Sequence, residues 1–312
     1  MIYFQEDHFN PENIMDDLYL KNKGLEEVFR LRDLLEDFEV IAGKTQLMVL
    51  VSRPLADETL IENLQASIIA TLLDLKSIDH VKRTYIKKYS SKKKDKEKSK
   101  RIDLEYINAY KAIKKHIEKE FSRLVTNKND EPPLGVFGAS IVLERLVTSF
   151  FSAHLLYKLG NSYEAHAVSR LILEQIAWAY AAHTLEDLND IEKIVTTKAI
   201  SQLKKIAPEA GKLYNFLSEK THIDYDNHSE FITIEQERNV ILLSHLDYYE
   251  YAKVILKLAD LFGIVWEISQ FKYMNKRESV KKEKGVFIVK QNRPFLRIIK
   301  KHLDKIEKMS KT

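Results

Sequence analysis

The sequence contains no cysteine, 8 glycines and 6 prolines in 312 residues. The lack of cysteine excludes a disulfide framework, cysteine-based zinc or iron–sulfur sites and a thiol nucleophile, and it fits a reducing compartment. Because glycine and proline form most tight turns, their scarcity favours long helices over a sheet of many strands. We therefore expect an all-α protein.

Features of export and of membrane insertion are also missing. The first residues, MIYFQEDHFN, are acidic, whereas a secretory signal is basic and then apolar. The most apolar late stretch, 254–271, is interrupted by Lys257, Asp260 and Glu267, and such charges argue against a membrane span. We expect a cytoplasmic protein with no membrane partner.

The net charge of +4 conceals two strongly basic segments. Residues 81–101 carry eleven Lys or Arg against two acidic residues, and residues 272–312 carry fourteen against four. Such segments bind polyanions, because each neutralised phosphate releases counterions, or they serve as soluble, self-repelling linkers. RNA or DNA is therefore a candidate partner, and Lys92, Lys93 and Lys94 are candidate contacts.

Composition divides the chain into four regions. We expect a mainly helical N-terminal region over 1–89 and a helical bundle over 102–273. Between them lies a Lys-rich linker over 90–101, which is either a solvated linker or a frayed helical extension. A basic C-terminal tail, with a segment and a helix over 274–312, follows. Short connections between the central helices predict an antiparallel up-down bundle.

Capping residues mark several element boundaries. Asp57 predicts a helix over 57–89, and Gly160 ends a strongly apolar helix over 136–159. A long helix is expected over 233–273. The run QLMVLV at 46–51 reads either as a buried strand or as helix, because one strand cannot form a sheet.

Three polar residues recur within an otherwise apolar central helix. His166, Arg170 and Glu174 are four residues apart, so they share one side of that helix in the bundle interior. A buried charge must be paired, and Arg170 and Glu174 are one turn apart. The strip forms either a structural ion pair, a solvent-facing strip or the floor of a polar pocket.

A second polar concentration lies at 214–228. His222, Asp224, Asp226 and His228 alternate, and two imidazoles with two carboxylates are able to hold a divalent ion. Their spacing matches no metal signature, and a polar connecting loop explains the same residues. We expect no metal and no cofactor.

These two stretches carry a resemblance to a known family. The chain over 143–224, with SRLILEQIAWAYAAH and then YNFLSEKTH, resembles an uncharacterised bacterial helical family catalogued as domain of unknown function 5677. That family pairs an Arg-x-x-x-Glu helix with a later Tyr-x-x-x-Ser-x-x-x-His segment, and it is similar to the HEPN superfamily. The matching residues are Arg170, Glu174, Tyr214, Ser218 and His222.

Resemblance to HEPN proteins implies an antiparallel bundle, a homodimer, and RNA cleavage where Arg and His meet at the dimer cleft. The central helix lacks the usual HEPN signature of Arg, a polar residue and a His four to six residues on. The stretch that fits this signature closely is RIIKKH at 297–302, in the basic C-terminal region.

Two functions follow from these residues. The first is a HEPN-like RNA-acting effector of a bacterial toxin or phage-defence system, a metal-independent ribonuclease. In it His222 is the base, Arg170 neutralises the phosphorane and Glu174 holds Arg170. The candidate substrate contacts are His166, Tyr214, Ser218 and the three lysines at 92–94. The alternative is a non-catalytic protein whose buried polar network is structural and whose basic segments dock a protein or nucleic acid.

Overall fold

The computed structural model describes residues 36–42, 48–53, 57–86, 93–125, 131–222, 232–235, 238–241 and 246–311. The chain divides into two compact units, Met1–Ser91 and Lys92–Thr312. Ten α-helices and three two-stranded hairpins make up the described part, which confirms the all-α prediction.

The first unit contains an antiparallel hairpin. Strand β1 (Phe38–Ala42) pairs with β2 (Met48–Ser52), with Val40 opposite Leu50. The run at 46–51 is thus a strand where the structure describes it, because residues 38–42 supply the partner that sequence reasoning lacked. Most of the helical stretch expected before residue 38 lies outside the described residues.

Helix α1 (Glu58–Leu72) begins where the sequence predicted. The carboxylate of Asp57 accepts a hydrogen bond from the Leu60 amide at 2.7 Å, which confirms the N-cap. The helix ends at Leu72 and does not continue to Tyr89. The elements that follow it are α2 (Ile78–Val81) and a π-helical turn (Lys82–Ile86).

The second unit is the helical bundle with its C-terminal additions. Its helices are α3 (Lys93–Phe121), α4 (Leu134–Leu159), α5 (Ser162–Ala182), α6 (Leu188–Glu192), α7 (Thr196–Ile206), α8 (Pro208–Thr221), α9 (Tyr248–Ser269) and α10 (Pro294–Lys311). Its strands are β3 (Ile232–Glu235), β4 (Arg238–Ile241), β5 (Val280–Glu283) and β6 (Val286–Val289).

Helices α4 and α5 form an antiparallel pair, as predicted. Gly160 ends α4 in the left-handed conformation, with φ of 77°. Its amide donates to the carbonyls of Leu156 and Tyr157, so the chain reverses within two residues. By length and composition α4 is the one helix of the described ranges able to cross a bilayer, a test that core helices of soluble proteins also pass.

Helix α9 runs through the centre of the bundle. Every residue from Leu258 to Ser269 is buried, and the helix packs on α3, α4, α5 and α10. The prediction of one helix over 233–273 is wrong in its first part, since β3 and β4 form a hairpin there. The β-branched residues of Ile232–Ile234 favour a strand, which outweighs a Thr at a helix start.

The Lys-rich segment is helical from Lys93 onward, so the structure selects the helical extension over the solvated linker. Lys and Glu are good helix formers, and α10 lies antiparallel along α3. The Lys98 ammonium donates to the Ser310 carbonyl at 2.9 Å, and His302 Nδ1 lies 2.7 Å from Glu105 Oε1. The C-terminal region therefore packs on the bundle and is not a separate tail.

Candidate functional site

Arg170 on α5 is held by side chains from its own helix and from α8. Its Nε donates to Glu174 Oε1 at 3.0 Å. One terminal nitrogen donates to the Tyr214 hydroxyl at 3.2 Å, and the other donates to Thr221 Oγ1 at 3.4 Å. The guanidinium carbon also lies 5.3 Å from the centre of the Tyr214 ring, a cation–π contact. Three side chains thus fix the orientation of the guanidinium.

This cluster lies at the rim of the bundle and not in its interior, which corrects the sequence expectation. The side chain of Arg170 is 34% exposed and that of Glu174 is 24% exposed. Partial burial acts to lower the pKa of Arg170, but hydrogen bonds to Glu174 and Tyr214 outweigh it and hold the pKa above its usual value. Arg170 therefore carries a positive charge that reaches solvent.

His222 lies directly after Thr221, at the C-terminal end of α8. Its amide donates to the Ser218 carbonyl at 3.0 Å, and its backbone is extended, with φ of −71° and ψ of 137°. The residue is exposed. The structure therefore brings Arg170 and His222 to the same end of α8, because the Thr221 that Arg170 contacts is the residue directly before His222.

Two further residues fix this end of α8, and the sequence reasoning did not identify them. The Tyr163 hydroxyl donates to the Thr221 carbonyl at 3.0 Å, which ties the start of α5 to the end of α8. Thr221 Oγ1 donates to the Leu217 carbonyl at 2.8 Å. The sequence signal that could have identified Thr221 is its spacing, because it follows Tyr214 by two helical turns and so lies on the same face of α8.

His166 does not lie on the accessible surface, contrary to its predicted role as a substrate contact. Its side chain is 3% exposed, and its Nε2 lies 3.2 Å from Glu250 Oε1 on α9. Its ring packs edge-on against Tyr157, Phe216 and Tyr251. His166 therefore belongs to the packing of α5 against α4, α8 and α9.

The other predicted contacts have different outcomes. Ser218 is partly buried on α8, and within the described structure its hydroxyl has no hydrogen-bond partner. Lys92 lies outside the described residues, and Lys93 and Lys94 form the start of α3.

The candidate metal ligands at 224–228 also lie outside the described residues. Among the side chains that are described, no three His, Asp or Glu residues form a metal-binding group.

Two acidic residues of α9 hold the C-terminal region against the bundle. Asp260 accepts a two-pronged ion pair from Arg293, which also reaches Glu209 at 3.1 Å. Burial raises the pKa of Asp260, although Arg293 opposes that shift. Glu267 accepts hydrogen bonds from the amides of residues 278–280 at 2.7–2.9 Å. The sequence signal for both is a charge within an apolar helix.

Comparisons of the chain with protein-family models, curated proteins and solved structures found no match. What the site does chemically therefore follows from its geometry and from its residue types.

Proposed function

We propose that this protein is a HEPN-like RNA-acting effector whose centre is formed by Arg170 and His222 at the end of α8. The observation that carries the proposal is the hydrogen bond between Arg170 and Thr221, the residue before His222. A fixed, solvent-accessible guanidinium at the helix end that carries an exposed histidine is suited to phosphate chemistry.

The proposed reaction is metal-independent cleavage of the RNA backbone. His222 accepts the proton of a 2′-hydroxyl, and the 2′-oxygen attacks the adjacent phosphorus. The bond from phosphorus to the 5′-oxygen breaks, the 5′-oxygen takes a proton from water, and a 2′,3′-cyclic phosphate remains. Arg170 neutralises the charge that develops on the phosphorane, and Glu174 is a positioning residue for Arg170. Tyr214 and Ser218 line the same helix face.

Exposed apolar side chains support a homodimer as the working form. Phe137 and Ile141 on α4 are each 51% exposed, and Leu171, next to Arg170 on α5, is 49% exposed. Burying such side chains against a second copy is favourable, and the resulting dimer interface would form beside the proposed centre. In this proposal the protein works in the cytoplasm of a bacterium as a toxin or phage-defence component.

The proposal is tested with total RNA in the presence of EDTA. We expect cleavage by the full chain, and we expect His222→Ala and Arg170→Ala each to abolish it while circular dichroism shows that both variants remain folded. His80→Ala, at an exposed histidine of the first unit, is the matched control and should cleave normally. Full activity of either centre variant would refute the proposal.

A non-catalytic interaction protein is the second candidate. The observation that favours it is that all three nitrogen atoms of Arg170 already bind groups of the same chain. In that function Arg170 is a structural tie between α5 and α8, and the basic segments dock a partner. Loss of stability in Arg170→Ala, with no RNA cleavage by the parent protein, would support it.

A further inference from the structure

Parts of the two basic segments of the sequence lie in α3 and α10, which pack side by side. Helix α10 runs antiparallel along α3. At one end the Lys98 ammonium donates to the Ser310 carbonyl at 2.9 Å. At the other end the rings of His116 and Phe295 stack with centroids 3.9 Å apart. Segments that are about two hundred residues apart in sequence therefore form one continuous face, which we call the α3–α10 face.

This face is strongly basic. Among its described side chains from Lys98 onward, the basic ones that reach solvent are Lys98, Lys100, Arg101, Lys111, Lys114, Lys115, Lys119, Arg297, Lys300, Lys301, Lys305, Lys308 and Lys311. The acidic side chains classed as exposed on the same stretch are Glu118, Asp304 and Glu307. Such an excess of positive charge favours a polyanion as the partner.

Part of this charge forms a regular stripe along α10. Arg297, Lys301, Lys305 and Lys308 follow one another at intervals of three or four residues, so they project from one side of the helix. The acidic Asp304 lies among them, three residues after Lys301. Lys305 Nζ lies 3.5 Å from Glu105 Oε2, which places the stripe next to α3. At a rise of about 1.5 Å per residue, the charges follow one another every ~5–6 Å, an arrangement suited to an extended chain of phosphates.

A pocket of about 390 Å³ lies at the end of the face, between α3, the start of α9 and the end of α10. Lys98 and Ser310 line it and also belong to the α3–α10 face. Its other walls include Ile102, Asp247, Tyr248 and Tyr249. The Asp247 carboxylate accepts hydrogen bonds from the amides of Tyr249 and Glu250 at the start of α9. The volume of the pocket is within the range of about 300–1,000 Å³ seen for small-ligand sites. A flat aromatic ring thus meets positive charge where the stripe ends.

We propose that the α3–α10 face binds single-stranded nucleic acid, with the backbone along the α10 stripe and one unpaired base in the pocket against Tyr249. Positive charge tracking a backbone, combined with an aromatic ring for a base, is how proteins hold single strands. An acidic peptide or an anionic bilayer would use the charge but not the ring. The inference rests on the proposed function, since it names where that function's RNA is held.

The test measures binding by fluorescence anisotropy with a labelled 20-nucleotide oligo-U RNA, its DNA counterpart and a duplex of the same length. The protein is the full chain carrying His222→Ala, so that cleavage does not remove the RNA. Failure of this binding site is thus separate from failure of the catalytic proposal, which is read from cleavage.

Removal of charge from the stripe should weaken binding and reduce its salt dependence. The variant R297Q/K301Q/K308Q removes three positive charges. For single strands the slope of log K against log salt is about −0.7 per phosphate contact, so three lost contacts reduce it by about 2 and weaken binding about 100-fold at 0.1 M salt. The control K198Q/K205Q/K272Q removes three exposed charges elsewhere and should bind normally.

Removal of the ring should weaken binding without changing the salt slope. We expect Tyr249→Leu to bind single strands about 5- to 100-fold more weakly, because base–aromatic stacking is lost, and Tyr249→Phe to bind normally. The His222→Ala chain without further substitutions should bind either single strand more tightly than the duplex. Equal weakening by both triple variants would overturn the proposal. So would equal binding of duplex and single strand, or binding of anionic vesicles in place of RNA.

Discussion

Gly263 of α9 lies directly against the imidazole of His116 on α3. A Cβ atom at residue 263 would lie 2.6 Å from His116 Nε2, closer than real Cβ atoms approach. The ring has little room to move, because its other face stacks on Phe295 of α10. Three helices therefore pack together at a position where any side chain larger than hydrogen clashes.

Gly263→Ala should destabilise the protein by about 1–3 kcal/mol, the usual cost of overpacking a core. Gly138→Ala is the matched control, since its Cβ would lie 3.6 Å from Trp178, an ordinary contact. That variant should gain roughly 0.5–1 kcal/mol from helix propensity. Urea unfolding monitored by circular dichroism measures both. Equal stabilities of the two variants would contradict the predicted clash.

Ionisation of Glu120 should make stability fall between pH 6.5 and 8. Burial, and then the charge of Glu267, raise the pKa of Glu120 to about 8, against the opposing charge of Arg123. In this window the folded protein keeps a proton that the unfolded chain has released, so rising pH favours unfolding. The expected loss is about 1–2 kcal/mol.

The measurement is the free energy of unfolding at pH 6.5 and pH 8. Glu120→Gln should remove this loss, whereas Glu118→Gln, at an exposed residue of the same helix, should keep it. His116 contributes below this window: burial, and then Arg123, lower its pKa to about 3, so its contribution grows as pH rises towards 6.5. A pH profile of Glu120→Gln identical to that of the parent would show that Glu120 does not titrate there.

Loss of Arg293 should be far more costly than loss of its outer partner. Arg293→Ala leaves Asp260 buried without its cation, and breaking one member of a buried pair costs about 3–5 kcal/mol. Glu209, whose side chain is 35% exposed, makes a weaker contact. We therefore expect Glu209→Gln to cost about 1 kcal/mol or less. Urea unfolding distinguishes them, and similar losses would mean that Asp260 is not effectively buried.

The contribution of the Tyr214–Arg170 contact to stability should consist of two parts, one from the hydrogen bond and one from the ring. Tyr214→Phe removes the hydrogen bond but keeps the ring, and we expect a loss of about 0.5–1.5 kcal/mol. Tyr214→Leu also removes the cation–π contact, which should add about 0.5–1 kcal/mol at this partly exposed position. In an Arg170→Ala background both losses should shrink, as a double-mutant cycle measures. Unchanged losses there would show that Tyr214 acts elsewhere.

Local signals in the sequence predicted local structure well. The N-cap at Asp57 and the left-handed Gly160 depend on neighbouring residues, and both are confirmed. The hairpin at 232–241 was missed because the choice between strand and helix for so short a segment depends on its pairing partner. The sequence left the start of α3 open between a linker and a helical extension, since part of its support comes from Ser310, far along the chain.

The candidate site was predictable in its members but not in its setting. Periodicity identified Arg170 and Glu174, the alternation of polar residues identified His222, and the family resemblance added Tyr214. Whether a polar strip on an apolar helix faces the core or the rim depends on how neighbouring helices pack. The spacing of residues along one helix does not reveal this packing. The same packing buries His166 one turn away and brings Thr221 to Arg170.

The contact between Lys98 and Ser310 joins residues 212 positions apart and has a consequence for biosynthesis. During translation α3 leaves the ribosome long before residues 294–311 exist, so the side of α3 that contacts Phe295 and His302 stays exposed until then. Chaperones have the whole of that interval in which to bind it. The second unit should therefore complete its folding late, after α10 has been made, and a stalled or prematurely ended chain should be prone to aggregate.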